Sequence, residues 1–266
     1  MLRNAFVKGL RDQLRPFVMW AAGVAFYVAL LISIYPSIRK SAGAINEYVK
    51  NMPEAVRVAF MGSSDFTTPV GYVNVELLSW LAPIVLIAFA VAVAARSLAG
   101  EEENGTLGLV LTHAVGRRRF ALQKYAAMTV VVIALGATFW LSLTVATAIA
   151  GTPVGAGDLA VAFVRLTLLG LAVGSVTFAV GGATGRRQAG IAAGAGVGVV
   201  MYLLNTLAVM NETIRPLRHV SLFHWAGGAS PLGKPLDATG VLVLVATSAV
   251  LLVATLVLFE RRDVRV

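Results

Sequence analysis

Residues 99–124, with the sequence AGEEENGTLGLVLTHAVGRRRFALQK, form a long charged stretch between two strongly apolar parts of the chain. Acidic residues come first, an aliphatic run follows, and basic residues come last. The residues singled out in it are Glu101, Glu102, Glu103, Gly105, Thr106, Leu107, Leu109, Val110, Leu111, Arg117, Arg118 and Arg119. This order favours a short helix, because acidic residues stabilise a helix start and basic residues its end. Thr106 would cap the first turn and Gly116 would end the last.

The alternative for this stretch is a solvated loop of mixed charge. The aliphatic run argues against a loop, because four large apolar side chains would then be exposed to water. We therefore expect the run to contact either a membrane surface or a groove in another protein.

The composition of the whole chain is that of a membrane protein. Hydrophobic residues make up 58%, charged residues only 13%, and the mean hydropathy is +0.81. Apolar runs occur along all 266 residues, so we expect one polytopic domain, residues 1–266, with no soluble part able to house an enzyme. The absence of cysteine excludes thiolate metal sites, and His219 and His224 lack a third ligand.

Six segments are apolar enough to cross a bilayer, which requires about 20 residues of helix. They are residues 17–35, 77–95, 126–150, 166–184, 189–210 and 241–259. Pro16 and Pro36 flank the first, and proline is tolerated at helix boundaries. Residues 1–15 place apolar side chains at helical spacing, which indicates a separate amphipathic helix on the membrane surface. An unstructured basic tail is the alternative.

Orientation follows from the basic residues, which are retained on the cytoplasmic side. The termini and alternate connections between predicted spans hold fourteen of the 22 lysines and arginines, and the other connections hold eight. Both termini are therefore expected in the cytoplasm of a cell, with the chain in its plasma membrane. The excess positive charge is explained by topology and contact with anionic lipid, so no nucleic-acid partner is expected.

Glycines recur at four-residue spacing in spans four and five, which lets helix backbones approach closely. They are Gly170, Gly174, Gly181, Gly185, Gly190, Gly194 and Gly198. They indicate either a dimer contact or, as we favour, packing within one bundle. Polar side chains within spans are few, and Tyr202, Asn205 and Thr206 are the candidates for a substrate pathway.

No ionisable residue falls near the middle of a predicted span, so a coupling-ion site typical of secondary transporters is not expected. The energy for transport would then come from a partner. The sequences GEEENGTL at residues 100–107 and VGRRR at residues 115–119 closely resemble the GEEE-x-GTLE-LLL-STPVSRRR pattern of ABC-2 type transporter permeases, between their second and third spans. The ending FERRDV is similar to that family's F-x-RRDL. The chain differs at Gly108 and at His113 and Ala114.

The resemblance implies an all-α membrane protein with an amino-terminal elbow helix, six spans, a cytoplasmic coupling helix and a re-entrant or surface element at residues 211–237. It also implies a permease subunit that pairs with a second permease, identical or homologous, and with two ATP-binding subunits. ATP and Mg²⁺ would bind those partners, and this chain would hold no cofactor. Its apolar pathway favours an amphipathic exported substrate, such as a drug-like natural product or a lipid. An ion-coupled transporter or channel and a non-transporting scaffold or sensor are the alternatives.

Overall fold

A computed structural model describes residues 5–41, 43, 47, 49, 51–53, 65, 67–105, 116–152, 154–210, 213–228 and 230–261. These residues are mostly helical, and none of them lies in a β-strand. Within this part of the chain, six helical stretches are long and apolar enough to cross a membrane. They are Ala5–Lys40, Pro69–Ser97, Arg117–Ile149, Ala156–Thr184, Arg187–Met210 and Ala238–Arg261. Each contains most or all of one predicted span, which confirms the all-α membrane class.

The helices are numbered here in chain order. They are α1 (Ala5–Lys40), α2 (Pro69–Val73), α3 (Leu81–Ser97), α4 (Ala99–Glu103), α5 (Arg117–Ile149), α6 (Ala156–Thr184), α7 (Arg187–Met210), α8 (Leu222–Trp225) and α9 (Ala238–Arg261). A π-helical turn, Asn74–Leu78, connects α2 towards α3, and a 3₁₀ helix, Arg215–Val220, precedes α8.

Helix α6 is the centre of the bundle. It packs against α3, α5, α7 and α9. Its most apolar segment is 72% buried, whereas that of α9 is only 11% buried. A central helix must accept neighbours on every side, which explains why α6 has apolar or small residues on all its faces.

The glycine series lets these helices approach α6 closely. A Cβ atom on Gly170 would lie 3.2 Å from the Leu86 carbonyl oxygen of α3, and one on Gly174 would lie 3.0 Å from the Ala90 Cβ. On α7, a Cβ on Gly190 would lie 2.8 Å from the Thr177 carbonyl oxygen of α6. These glycines therefore face other helices of the same chain, as the packing alternative predicts.

The amino-terminal elbow helix expected from the sequence does not form a helix of its own. One helix, α1, runs from Ala5 to Lys40 through both Pro16 and Pro36, so the prediction that these prolines mark helix boundaries is wrong. The first turns of α1 are held by tertiary packing. Gly9 lies against Ala127 of α5, and the Ala5 amide donates to Gln123 Oε1 at 3.0 Å. These contacts offset the hydrogen bond that Pro16 removes from α1.

The bundle has two faces. The face at which α1 begins and α9 ends is called the terminal face. The face that carries residues 213–228 and 230–237 is called the opposite face. On the opposite face, Leu222, Phe223 and Leu232 are buried, and the Ser221 hydroxyl caps α8 by accepting from the Phe223 amide. This segment is therefore packed into the bundle end.

Candidate functional site

Glu101 joins three helices at the terminal face. Its carboxylate, on α4, accepts from Lys8 Nζ of α1 at 2.9 Å and from Lys124 Nζ of α5 at 2.6 Å. Glu101 is 7% exposed and Lys124 is 3% exposed. A buried charge is stable only when it is paired, so this cluster fixes the start of α1 relative to α4 and α5.

The short helix α4 places Glu101 at this junction because it directly follows α3. Leu98 and Ala99 are buried, and the Glu102 amide donates to the Leu98 carbonyl, so α4 packs against the bundle. The helix ends at Glu103, and Gly105 has a φ of +68°, in the left-handed region that glycine adopts most readily.

Two further contacts join neighbouring helices at the terminal face. Glu103 Oε1 accepts from the Arg187 amide at 2.8 Å, which places a carboxylate at the start of α7 where the helix dipole favours it. Arg118 Nε of α5 donates to Glu260 Oε2 of α9 at 2.7 Å. Arg118 and Glu260 are largely exposed, so this ion pair contributes little to stability, but it places the start of α5 beside the last turn of α9.

The predicted coupling residues fall into two groups. The structure places Glu101, Glu102 and Glu103 on α4, Gly105 just after it, and Arg117, Arg118 and Arg119 in the first turn of α5. The second group lies outside the described residues and consists of Thr106, Leu107, Leu109, Val110 and Leu111. Among the charged residues that flank the aliphatic run, Glu101 contacts α1 and α5, Glu103 contacts α7, and Arg118 contacts α9.

The candidate pathway residues lie where α7 meets α8. The Tyr202 ring packs edge-on against Phe223, with 5.4 Å between centroids. Asn205 is buried and Thr206 is partly buried. Close by, the Ser221 hydroxyl donates to the Met201 carbonyl at 2.6 Å. The structure thus brings Tyr202 next to α8 on the opposite face.

Arg165 directly precedes the predicted fourth span, residues 166–184, and was therefore counted among the basic residues of a connection, which is wrong. It lies inside α6, 3% exposed, and its guanidinium donates to the Pro235 carbonyl oxygen. A span boundary set by a run of apolar residues excludes a charged residue even where the helix continues through it. The nearby Leu232 amide donates to Asn74 Oδ1 at 3.3 Å, so two polar anchors hold residues 232–235 to the bundle.

Basic groups crowd the same region of the opposite face. Burial lowers the pKa of His224, and the neighbouring His219, Arg218 and Lys234 lower it further. Burial and the charge of Arg165 lower the pKa of Lys234, whose ammonium donates to the Gly227 carbonyl at 3.0 Å. Asp237 partly opposes the shift of His224. The region therefore disfavours additional positive charge.

An apolar cavity of about 410 Å³ lies between α1, α3 and α5. Trp20, Tyr27, Val85 and Phe139 are among the residues that line it. A cavity of this size and lining suits an apolar or amphipathic molecule rather than a strongly hydrated one.

Comparison with known proteins identifies the family. The family model described as ABC-2 family transporter protein matches residues 3–264, nearly the whole chain. No curated protein matches the chain with significant sequence similarity. The family match agrees with the six membrane-spanning helices and with the motif around Glu101. The chain belongs to the ABC-2 transporter family and is a multi-pass membrane permease of the ABC type.

Proposed function

We propose that this chain is the transmembrane permease subunit of an ATP-driven exporter that moves an amphipathic substrate out of the cell. The observation that carries the proposal is the Glu101 junction. It connects α4, the helix that contains the acidic start of the family's loop motif, to α1 and α5 through two ion pairs. A movement of this loop would therefore be transmitted directly to two membrane-spanning helices.

In this proposal the ATP-binding subunits contact the aliphatic run Leu107, Leu109, Val110 and Leu111. ATP and Mg²⁺ bind those subunits, and the closure of the two subunits moves the run. The conformation of the permease shifts if the permease binds the two states of the ATPase with different affinities. Glu102 and Arg119 would set the register at the rim of the contact.

The apolar cavity between α1, α3 and α5 supports the proposed substrate class. Its lining offers aromatic and aliphatic surface with little polar surface, which supports an amphipathic substrate such as a drug-like natural product or a lipid. Tyr202, Asn205 and Thr206 would provide polar contacts near the opposite face, where the substrate would leave.

A transport-competent assembly in this proposal contains a second permease, identical or homologous, and two ATP-binding subunits, in a plasma membrane. Its termini lie in the cytoplasm. The mass of the complex purified in mild detergent tests this composition. A single permease chain that transports without a second permease would contradict it.

The coupling role is tested by the double variant Leu107→Asp, Leu111→Asp. Two charges in an apolar contact should cost several kcal/mol of association, so ATPase binding and substrate-stimulated ATP hydrolysis should be lost while the permease still inserts and purifies. Glu102→Lys is the matched comparison and should weaken binding only mildly, since a partly exposed ion pair contributes about 1 kcal/mol or less. Unchanged binding and transport in the double variant would contradict the proposal.

A further inference from the structure

A polar cavity of about 400 Å³ opens beside the Glu101 junction at the terminal face. It lies between the ends of α1, α3, α4, α5 and α7, so it is enclosed by helices that are distant in sequence. The charged and amide side chains important here are Lys8, Gln13, Arg96, Glu101, Lys124 and Arg187. The cavity is separate from the apolar one between α1, α3 and α5.

The lining of this cavity carries excess positive charge. Lys8, Arg96, Lys124 and Arg187 contribute four cations, whereas Asp12 and Glu101 contribute two carboxylates. Glu101 is shared between two lysines, so its single charge does not neutralise both. Lys124 is almost fully buried and shares the Glu101 carboxylate with Lys8, so an anion in the cavity would supply a second acceptor for this pair of lysines.

Gln13 supplies a second, independent indication of a ligand. Its side chain lines the cavity and is 7% exposed, and its Oε1 atom has no hydrogen-bond partner in the described part of the chain. A buried amide oxygen without a donor is unfavourable, so this atom indicates that a donor group occupies the cavity.

We propose that this cavity binds the headgroup of an anionic phospholipid that carries hydroxyl groups, of the phosphatidylglycerol class. The phosphate would contact Arg96, Arg187 and the lysines, and a headgroup hydroxyl would donate to Gln13 Oε1. The cavity lies at the ends of membrane-spanning helices, where basic pockets between helices are suited to such lipids. The net positive lining favours an anionic lipid over a zwitterionic one.

The test uses the full-length permease in detergent, with bound lipid counted by native mass spectrometry. Phosphatidylglycerol should be retained, and phosphatidylethanolamine with the same acyl chains should bind at least about tenfold more weakly, the factor expected for one charge-assisted contact. Inorganic phosphate and glycerol phosphate identify the source of the phosphate. If either soluble compound competes at the same concentration as the lipid, the ligand is a free phosphate and the lipid proposal is overturned.

Charge variants locate the binding site. The double variant Arg96→Gln, Arg187→Gln should lose phosphatidylglycerol by about tenfold or more. Arg187→Gln alone should also weaken binding, whereas Arg186→Gln, which removes the same single charge from the adjacent residue outside the cavity lining, should retain the lipid. An equal loss in Arg186→Gln would show that the lipid is attracted by general surface charge, and the cavity would not be the site.

A substitution at Gln13 tests the hydroxyl contact separately. Gln13→Met keeps the size of the side chain and removes the acceptor, so it should weaken phosphatidylglycerol binding. It should leave phosphatidylmethanol binding unchanged, because that lipid has the phosphate and no headgroup hydroxyl. If wild-type protein binds both lipids equally, Gln13 does not recognise the headgroup hydroxyl and this part of the proposal is wrong.

Discussion

Glu101 and Lys124 are charged residues that the bundle removes almost completely from solvent. Their burial indicates that the acidic start of the loop motif holds helices of the bundle together and does not only set the register of the proposed ATPase contact. The carboxylate is the shared acceptor for α1 and α5, so its loss leaves two ammonium groups without their acceptor. One side chain therefore determines how three helices meet.

Glu101→Gln should destabilise the permease by about 3–5 kcal/mol, because the amide cannot neutralise buried Lys124. Glu102→Gln, which removes the same charge one residue further along at a less buried position, should change stability by much less. The melting temperature of both variants in the same detergent measures the difference. Equal melting temperatures would mean that the junction does not hold the bundle together.

His224 makes the opposite face sensitive to pH. Because its pKa is below the ordinary value of 6.5, the unfolded chain binds more protons than the folded one as pH falls from that value to the folded pKa. The stability that neutral His224 contributes to the folded state is thus fully present above pH 6.5 and is lost as pH falls from 6.5 through the folded-state pKa.

We expect hydrogen exchange of residues 215–228 to be faster at about pH 5.5 than at about pH 7.5, after correction for intrinsic rates, because protonated His224 is repelled by Arg218 and Lys234. His224→Gln should reduce this difference, since glutamine does not titrate. A pH effect of the same size in His224→Gln would assign it to another group.

Helix packing around α6 depends on residues that have no side chain. Gly194 of α7 lies where an added Cβ would overlap the Thr177 hydroxyl of α6 and approach Val91 of α3 to 3.1 Å. Gly196, two residues further on the same helix, has no neighbouring atom within 4 Å of such a Cβ. Substitutions at these two glycines therefore distinguish an effect of close helix packing from an effect of helix propensity alone.

Gly194→Ala should lower stability by about 1–3 kcal/mol, because α7 must move away from α6 to admit the methyl group. Gly196→Ala should cause no loss, since alanine favours helix more than glycine does. Thermal unfolding in detergent compares the two variants. A loss in Gly196→Ala equal to that in Gly194→Ala would show that the glycine series acts through another contact, such as a second permease.

At the scale of the whole molecule, an even number of spans brings α1 and α9 to one face of the bundle. The Arg118–Glu260 and Lys8–Glu101 contacts show that the ends of α1, α4, α5 and α9 share this terminal face. The basic residues counted from the sequence concentrate there, which predicts that the terminal face is cytoplasmic.

Cysteine labelling tests that orientation without interference, because the chain contains no cysteine. Ser41, just after α1, and Asn104, just after α4, are exposed and lie on opposite faces. In intact cells an impermeant maleimide should label Ser41→Cys, and it should label Asn104→Cys only after permeabilisation. The reverse pattern would contradict the charge-based topology.

Most of the fold was predictable from the sequence, and much of the site was not. The six spans were found because hydropathy is a local property of the chain. Arg165 was misplaced because its partner, the Pro235 carbonyl, is 70 residues away and is invisible to a local window. The break expected at Pro16 was wrong because contacts with α5 hold the first turns of α1 in one helix.

The sequence by itself determined the membrane class, the number of spans and, through the loop motif, the family. These depend on composition and order, which neighbouring residues fully specify. Only the tertiary structure decided that Glu101 is buried between two lysines, that the glycines face helices of the same chain, and that Gln13 lies in a basic cavity. Each depends on which face of one helix meets another, and that is fixed by packing between residues far apart in the chain.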